Sequence, residues 1–153
     1  MRNPAQRGMA LLASLVFLLL LTLIGLSSLQ NATLQEKMTG NLMARNLSFQ
    51  IAESALRTGE SAVRVEGAGV PLCVATQCLP PAESALVTEP GFNAASGVMW
   101  VAAAQGLYGL QNLGPVLGAV NVPAETQANL FRVTAVGIAG QSRSVVESVY
   151  ALY

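Results

Sequence analysis

Between Met9 and Leu29 the chain runs for 21 residues without a charge, and only Ser14, Thr22, Gly25, Ser27 and Ser28 interrupt its apolar character. At about 1.5 Å per helical residue this stretch spans roughly 31 Å, close to a bilayer hydrocarbon core of about 30 Å. Gln30–Arg64 continues without a proline. Within it Leu34, Met38, Leu42, Phe49, Leu56 and Val63 recur at steps of 4, 4, 7, 7 and 7, which predicts an apolar seam along a helix. Glu53–Arg57 and Glu60–Arg64 stand i,i+4 with the acid first, the favourable order. Gly25 and Gly40 each weaken a helix by about 1 kcal/mol relative to Ala and mark candidate bends. The pattern predicts one helix from about Met9 to about Val63, apolar all round and then amphipathic. Such a helix is a stalk with a headgroup packed on its far end.

From about Glu66 the composition turns to Gly and Pro, with Gly67, Gly69, Pro71, Pro80, Pro81, Pro90 and Gly91, and loops are expected. Glu83–Val87 reads as a short helical turn. Val98–Ala102 is a buried strand or a helix segment, since periodicity does not decide at that length. Trp100, the one tryptophan, reads as a core or headgroup–stalk packing residue before a ligand contact. Gly106–Gly118 is glycine-rich, with Tyr108 and several Leu, and holds no phosphate-loop motif. Asn129–Val136 alternates, with Phe131, Val133 and Ala135 on one face and Arg132 and Thr134 on the other. Gly137–Gln141 supplies a turn of about five residues, and Ser142–Leu152 returns with Val145, Val146, Val149 and Tyr150. The expected fold class is α+β: a long N-terminal helix laid across a small antiparallel sheet.

Composition narrows the chemistry. Of 153 residues, 52% are hydrophobic and 10% charged, against about 25% charged in ordinary soluble domains. All eight acids are Glu, and neither Asp nor His occurs. A Ser-His-Asp triad and an imidazole metal site are therefore excluded, and the usual EF-hand loop and Mg²⁺-phosphate sites lose their standard ligands. Lys37 is the only lysine and no base–nucleophile pair stands out, so neither an enzyme nor a cofactor is expected. A formal net charge of zero leaves no electrostatic footprint for nucleic acid. Cys73 and Cys78 predict a disulfide if the segment lies in an oxidising compartment; a metal site would need a further ligand. Asn31-Ala32-Thr33 and Asn46-Leu47-Ser48 match the glycosylation sequon inside the predicted helix, where chance explains them better.

Met1–Gly8 is polar, with Arg2 and Arg7 as its charges. Three readings of this start are open. An ordinary signal peptide would end in a small-residue cleavage site, whereas Leu26-Ser27-Ser28-Leu29-Gln30 runs straight into a helical pattern. A plain anchor would keep Arg2 and Arg7 cytoplasmic. The third is a short basic leader ending at Gly8, cut ahead of an apolar helix that stays on the protein.

Arg7-Gly8-Met9-Ala10-Leu11-Leu12, the apolar span, Leu34–Asn41 (LQEKMTGN) and Arg45–Arg57 (RNLSFQIAESALR) together resemble the N-terminal region of PilX-type minor pilins of the type IV pilus system. The resemblance covers about the first 64 residues, is weaker over the final hairpin and is absent between. It implies a prepilin cut between Gly8 and Met9 by a prepilin peptidase, with N-methylation of Met9. The partition it implies is a leader at 1–8, a transmembrane and filament-core helix at 9–29, an amphipathic continuation at 30–64 and a periplasmic headgroup at 65–153. Loss of the leader leaves 145 residues with six basic side chains against eight Glu. Most type IV pilins carry Glu at the fifth mature position, where this chain has Ala13. In the family that carboxylate meets the N-terminal amine of a neighbour, so its absence leans towards a tip or initiating position over mere tolerance.

The resemblance thus implies a minor pilin that helps initiate pilus assembly in a priming complex, supporting twitching motility and adhesion. Its partners would be other minor pilins, the major pilin, the prepilin peptidase and inner-membrane assembly machinery, with a large tip adhesin a further candidate. It would sit in the inner membrane as a single pass, N-terminus inside and headgroup periplasmic, and then in the pilus (fimbrium) at its tip. The alternatives are a tip-displayed adhesin or DNA-contacting module, and a type II secretion minor pseudopilin. Direct nucleic-acid contact is disfavoured by the net −2 of the mature chain.

Overall fold

A computed structural model describes residues 4–123 and 125–153. A single α-helix, α1 (Pro4–Glu66), is followed by 3-10 turns at Gly67–Gly69, Ala75–Cys78 and Ala82–Ala85. Five strands then complete the fold: β1 (Gly91–Asn93), β2 (Val98–Ala103), β3 (Gly106–Leu117), β4 (Gln127–Ala139) and β5 (Ser142–Leu152). The α+β expectation holds, with the helix overrunning its expected end by three residues. Gly25 and Gly40 do not break it. The chain divides into two compact units, one up to Leu42 and one from Met43 to Tyr153.

The first unit is helix throughout its described length. Its few polar side chains turn back onto their own helix: Ser14 Oγ donates to the Leu11 carbonyl and Thr22 Oγ1 to the Leu19 carbonyl, both at 2.8 Å. Hydroxyls satisfied in this way add little polarity to the stretch. From Gly8 to Leu42 every residue of the unit is exposed.

In the second unit the five strands form one antiparallel meander in the order β1-β2-β3-β4-β5. Met43–Glu66 of α1 lies on one face, against Tyr108, Ala135, Val133 and Phe131. The expected seam is corrected here. Ser48, Ala52, Ala55, Gly59 and Val63 are the buried helix residues, while Phe49 stays 46% exposed and Leu56 is half-buried. Leu34, Met38 and Leu42, in the first unit, are exposed as well. The reason is close approach. A Cβ at Gly137 of β4 would collide with the Ser48 carbonyl oxygen and the Ala52 nitrogen, and would stand 3.1 Å from the Ala52 Cα. A Cβ at Gly59 would press on Val133 and come within 3.0 Å of the Tyr108 ring. Where helix and strand backbones nearly touch, only small side chains fit between them.

The glycine-rich stretch with no assigned element is β3, twelve residues long, with a bulge between Asn112 and Gly114. Its alternation is masked in the sequence by Gly106, Gly109, Gly114 and Pro115. Val98–Ala102 resolves as strand, within β2. The β4–β5 loop is two residues, Gly140-Gln141, and not about five. Gly137, Ile138 and Ala139 stay paired with Ser144, Arg143 and Ser142. Gly140 takes φ +58°, the positive angle a two-residue hairpin needs at its first loop position. The expected turn at Glu83–Val87 appears as the 3-10 turn Ala82–Ala85, closed by Leu86 and Val87 N–H groups on the Glu83 carbonyl, both at 2.8 Å.

The sheet's second face carries Val98, Trp100, Leu107 and Val136, with Val87 and Ile138 packed against them. Trp100 is 2% exposed and belongs to this core, on the face opposite α1. Chain 70–90 covers that face. Both faces of β3 and β4 are therefore buried, which explains the near-continuous burial of β4 from Phe131 to Ala139.

Candidate assembly surfaces

Gly8 and the adjacent Met9, with Ala13 four residues on, are helical positions of the first unit, all exposed, and Met9 is 72% exposed. A Cβ built on Gly8 meets no atom within 4 Å. The surroundings in this chain therefore do not require glycine there. Arg2 lies outside the described residues. From Met9 to Leu29 large apolar side chains cover the helix on all sides, and the helix is long and apolar enough to cross a membrane. An unpartnered surface of this kind belongs in lipid or against other apolar helices.

In the second unit the sequence-predicted cysteines are joined: Cys73 and Cys78 form a disulfide with their Cα atoms 5.2 Å apart. The loop they close rests on the sheet's second face through its carbonyls. Gln111 Nε2 donates to the carbonyls of Gln77 (2.5 Å) and Leu79 (3.0 Å). The Arg132 guanidinium donates to the Cys78 carbonyl at 2.7 Å and to Gln111 Oε1 at 3.3 Å. Its Nε stands 3.9 Å from Glu147, which also accepts from Thr134 Oγ1 at 3.0 Å. Asn112 and Cys73 complete the attachment, through Asn112 Nδ2 to the Val70 carbonyl (3.0 Å) and Cys73 N–H to the Asn112 carbonyl (2.9 Å).

Further along, Arg143 donates to the carbonyls of Val87 (2.7 Å) and Ser84 (3.2 Å), fixing the third 3-10 turn, Ala82–Ala85, against β5. Glu83 accepts from Trp100 Nε1 at 3.3 Å and from the Ser96 hydroxyl. Among the described residues no buried side-chain nitrogen or oxygen lacks a hydrogen bond. No group of three metal-ligating side chains occurs among them either. Arg132 and Arg143 thus donate to backbone carbonyls, and Arg132 also faces the Glu147 carboxylate, which suits both to hold a loop.

Sequence reasoning missed Arg132, Arg143, Gln111 and Glu83 as a set. The available signal was Arg132 and Arg143 as isolated charges inside strongly apolar alternating segments. What they touch could not be read without knowing that chain 70–90 folds back over the sheet.

Residues 7–57 match the family model described as PilX N-terminal. The match includes Gly8, Met9, Ala13 and the buried helix residues from Ser48 to Ala55, and stops before the disulfide and the sheet. No curated protein and no solved structure gives a significant match.

Proposed function

We propose that this chain, whose first third is a PilX-type type IV pilin segment, is a minor pilin that helps start pilus assembly from a tip or priming complex. The observation that carries the reading is the coincidence, within 7–57, of an exposed uncharged helix and a small-residue face packed under a β-sheet headgroup. Such a chain works by packing. The residues from Met9 to Leu29 wait in the inner membrane and then pass into a filament core made of neighbours' helices, while the sheet is displayed outside.

In this reading the peptide bond between Gly8 and Met9 is cut by the prepilin peptidase and the new Met9 amine is methylated. Residues 1–8 are the leader, 9–29 the membrane and filament helix, 30–64 its amphipathic continuation, and 65–153 the periplasmic headgroup. Ala13 offers no carboxylate to a neighbour's amine. An unpaired charge in an apolar setting is costly, so a subunit that cannot answer an amine above it suits the first position. Its own Met9 amine can still recruit the next subunit.

Mass spectrometry of the protein recovered from membranes tests the class. A chain starting at methylated Met9 is expected. An intact Met1, or a start beyond residue 26, would overturn it.

A further inference from the structure

β5 is an outer strand of the sheet, eleven residues long and paired without interruption to β4 from Ser142 to Leu152. Across the two-residue loop Ala139 and Ser142 form the first hydrogen-bonded pair, so the even-numbered residues of β5 direct their backbone groups to β4. Arg143, Val145, Glu147, Val149 and Ala151 then direct theirs outward. Among the described residues no backbone or side-chain hydrogen bond reaches those outward groups. Exposed edges are usually blunted by proline, lysine, a bulge or shortness. β5 has no proline, lysine or bulge and is not short, and its one exposed charge is Glu147, whereas the opposite edge, β1, is only three residues long.

Three exposed side chains stand in a row along this edge: Val145 (40%), Glu147 and Val149 (58%). Beside its start a cleft of about 470 Å³ opens between β5 and the helix, lined by Arg45, Asn46, Phe49, Arg143, Ser144 and Val145. A strand added to β5 would place alternate side chains along that row and the intervening ones towards the cleft.

We infer that β5 is a docking edge for an extended segment of another protein, added antiparallel as a sixth strand and reading apolar–x–basic–x–apolar against Val145, Glu147 and Val149. The open backbone row supplies the binding and the acid between two valines supplies the choice of partner. Pairing with a second copy of β5 is disfavoured by the same charges. The symmetric register centred on Glu147 sets two Glu147 side chains opposite each other. The register that sets Arg143 opposite Glu147 asks Arg143 to leave the Val87 and Ser84 carbonyls it already holds. The inference does not depend on the pilus reading.

The test uses the full chain in detergent micelles, with the segment Thr-Val-Thr-Lys-Thr-Val-Thr appended after Tyr153 through a flexible Gly/Ser linker, which gives an effective concentration in the mM range. Site-resolved amide exchange is the readout. The amides of Val145, Glu147 and Val149 should gain about tenfold protection, and replacing the segment's Lys by Glu should remove most of the gain. Val145→Pro should abolish the gain while Val146 and Ser148 keep their protection, because the Val145 N–H faces away from β4. If that variant unfolds, Val149→Lys, which loses an apolar contact and repels the segment, should give the same loss. An unchanged exchange pattern with the segment attached would overturn the inference. So would equal protection by the Lys and Glu segments, or concentration-dependent protection of the same amides in the unmodified chain, the mark of self-pairing.

Discussion

Ser48 of α1 and Gly137 of β4 meet backbone to backbone, so that no Cβ could stand on Gly137 without striking the Ser48 carbonyl oxygen. Beside this contact Ser48 Oγ is hydrogen-bonded to Ser144 Oγ at 2.8 Å and donates to the Arg45 carbonyl at 2.8 Å. The helix is thereby tied to β4 and β5 at one point. Further along, Ser148 Oγ donates to Glu60 at 2.7 Å and Arg64 Nε donates to the Tyr150 hydroxyl at 2.6 Å.

Gly137→Ala should be among the most damaging single methyl additions in the protein. The atoms in its way are backbone, which cannot turn aside as a side chain would, so a loss at or above the upper end of about 1–3 kcal/mol is expected. Gly8→Ala, in open space within α1, is the control and should cost no stability, with helix propensity favouring the Ala by up to about 1 kcal/mol. Thermal or denaturant unfolding of the full chain in detergent measures both.

Arg132→Met keeps much of the side chain's length and removes its donors. It leaves the Cys78 carbonyl and Gln111 Oε1 without their donor and Glu147 without its neighbouring cation. A loss of about 1.5–3 kcal/mol follows from breaking hydrogen bonds to a charged group. The loop should loosen locally as well: the amides of Gln77 and Leu79, bonded to the Val74 and Thr76 carbonyls, should exchange faster while those of β4 and β5 change less. Equal acceleration everywhere would argue against a local role.

Trp100→Ala should cost about 3–5 kcal/mol, the range for emptying a large aromatic site. As the single tryptophan, Trp100 also reports its own burial. Its emission should be blue-shifted and poorly quenched by acrylamide in the folded chain, and both properties should be lost on unfolding.

Gly8→Glu tests the proposed leader and should block its removal, because a prepilin peptidase accepts almost no side chain before the cut. The accumulated protein should retain all 153 residues by mass. Processed protein at normal levels would defeat the leader reading.

Ala13→Glu tests the tip position. Deleting the gene should reduce the number of pili while the remaining pili stay near normal length. Immunogold labelling of sheared pili should mark one end when the chain is wild type. Ala13→Glu supplies a carboxylate for an amine above and should let label appear along the shaft, against a cost of about 2.5–3.5 kcal/mol for a charge at a membrane centre. Label spread evenly along wild-type filaments would defeat the tip assignment.

Sequence by itself determined the features that depend on near neighbours along the chain. The uncharged run from Met9 to Leu29, the unbroken helical continuation, the alternation at Asn129–Val136 and the closely spaced Cys73 and Cys78 all express local rules of period, propensity and reach. Tertiary structure alone decided which helix face meets the sheet. The spacing of Leu34, Met38, Leu42, Phe49, Leu56 and Val63 is that of an apolar face, yet most of these residues are exposed and Ser48, Ala52, Ala55 and Gly59 lie inside. Hydrophobicity ranks faces by transfer free energy, whereas the approach of α1 to Gly137 ranks them by volume, and at that distance volume wins. The same holds for Gly137 itself, which reads as a turn residue and serves as a packing surface, and for β3, whose glycines hide its period. Arg132 and Gln111 acquired their partners only when chain 70–90 folded over the sheet, because carbonyl groups carry no mark in the sequence of where they will point.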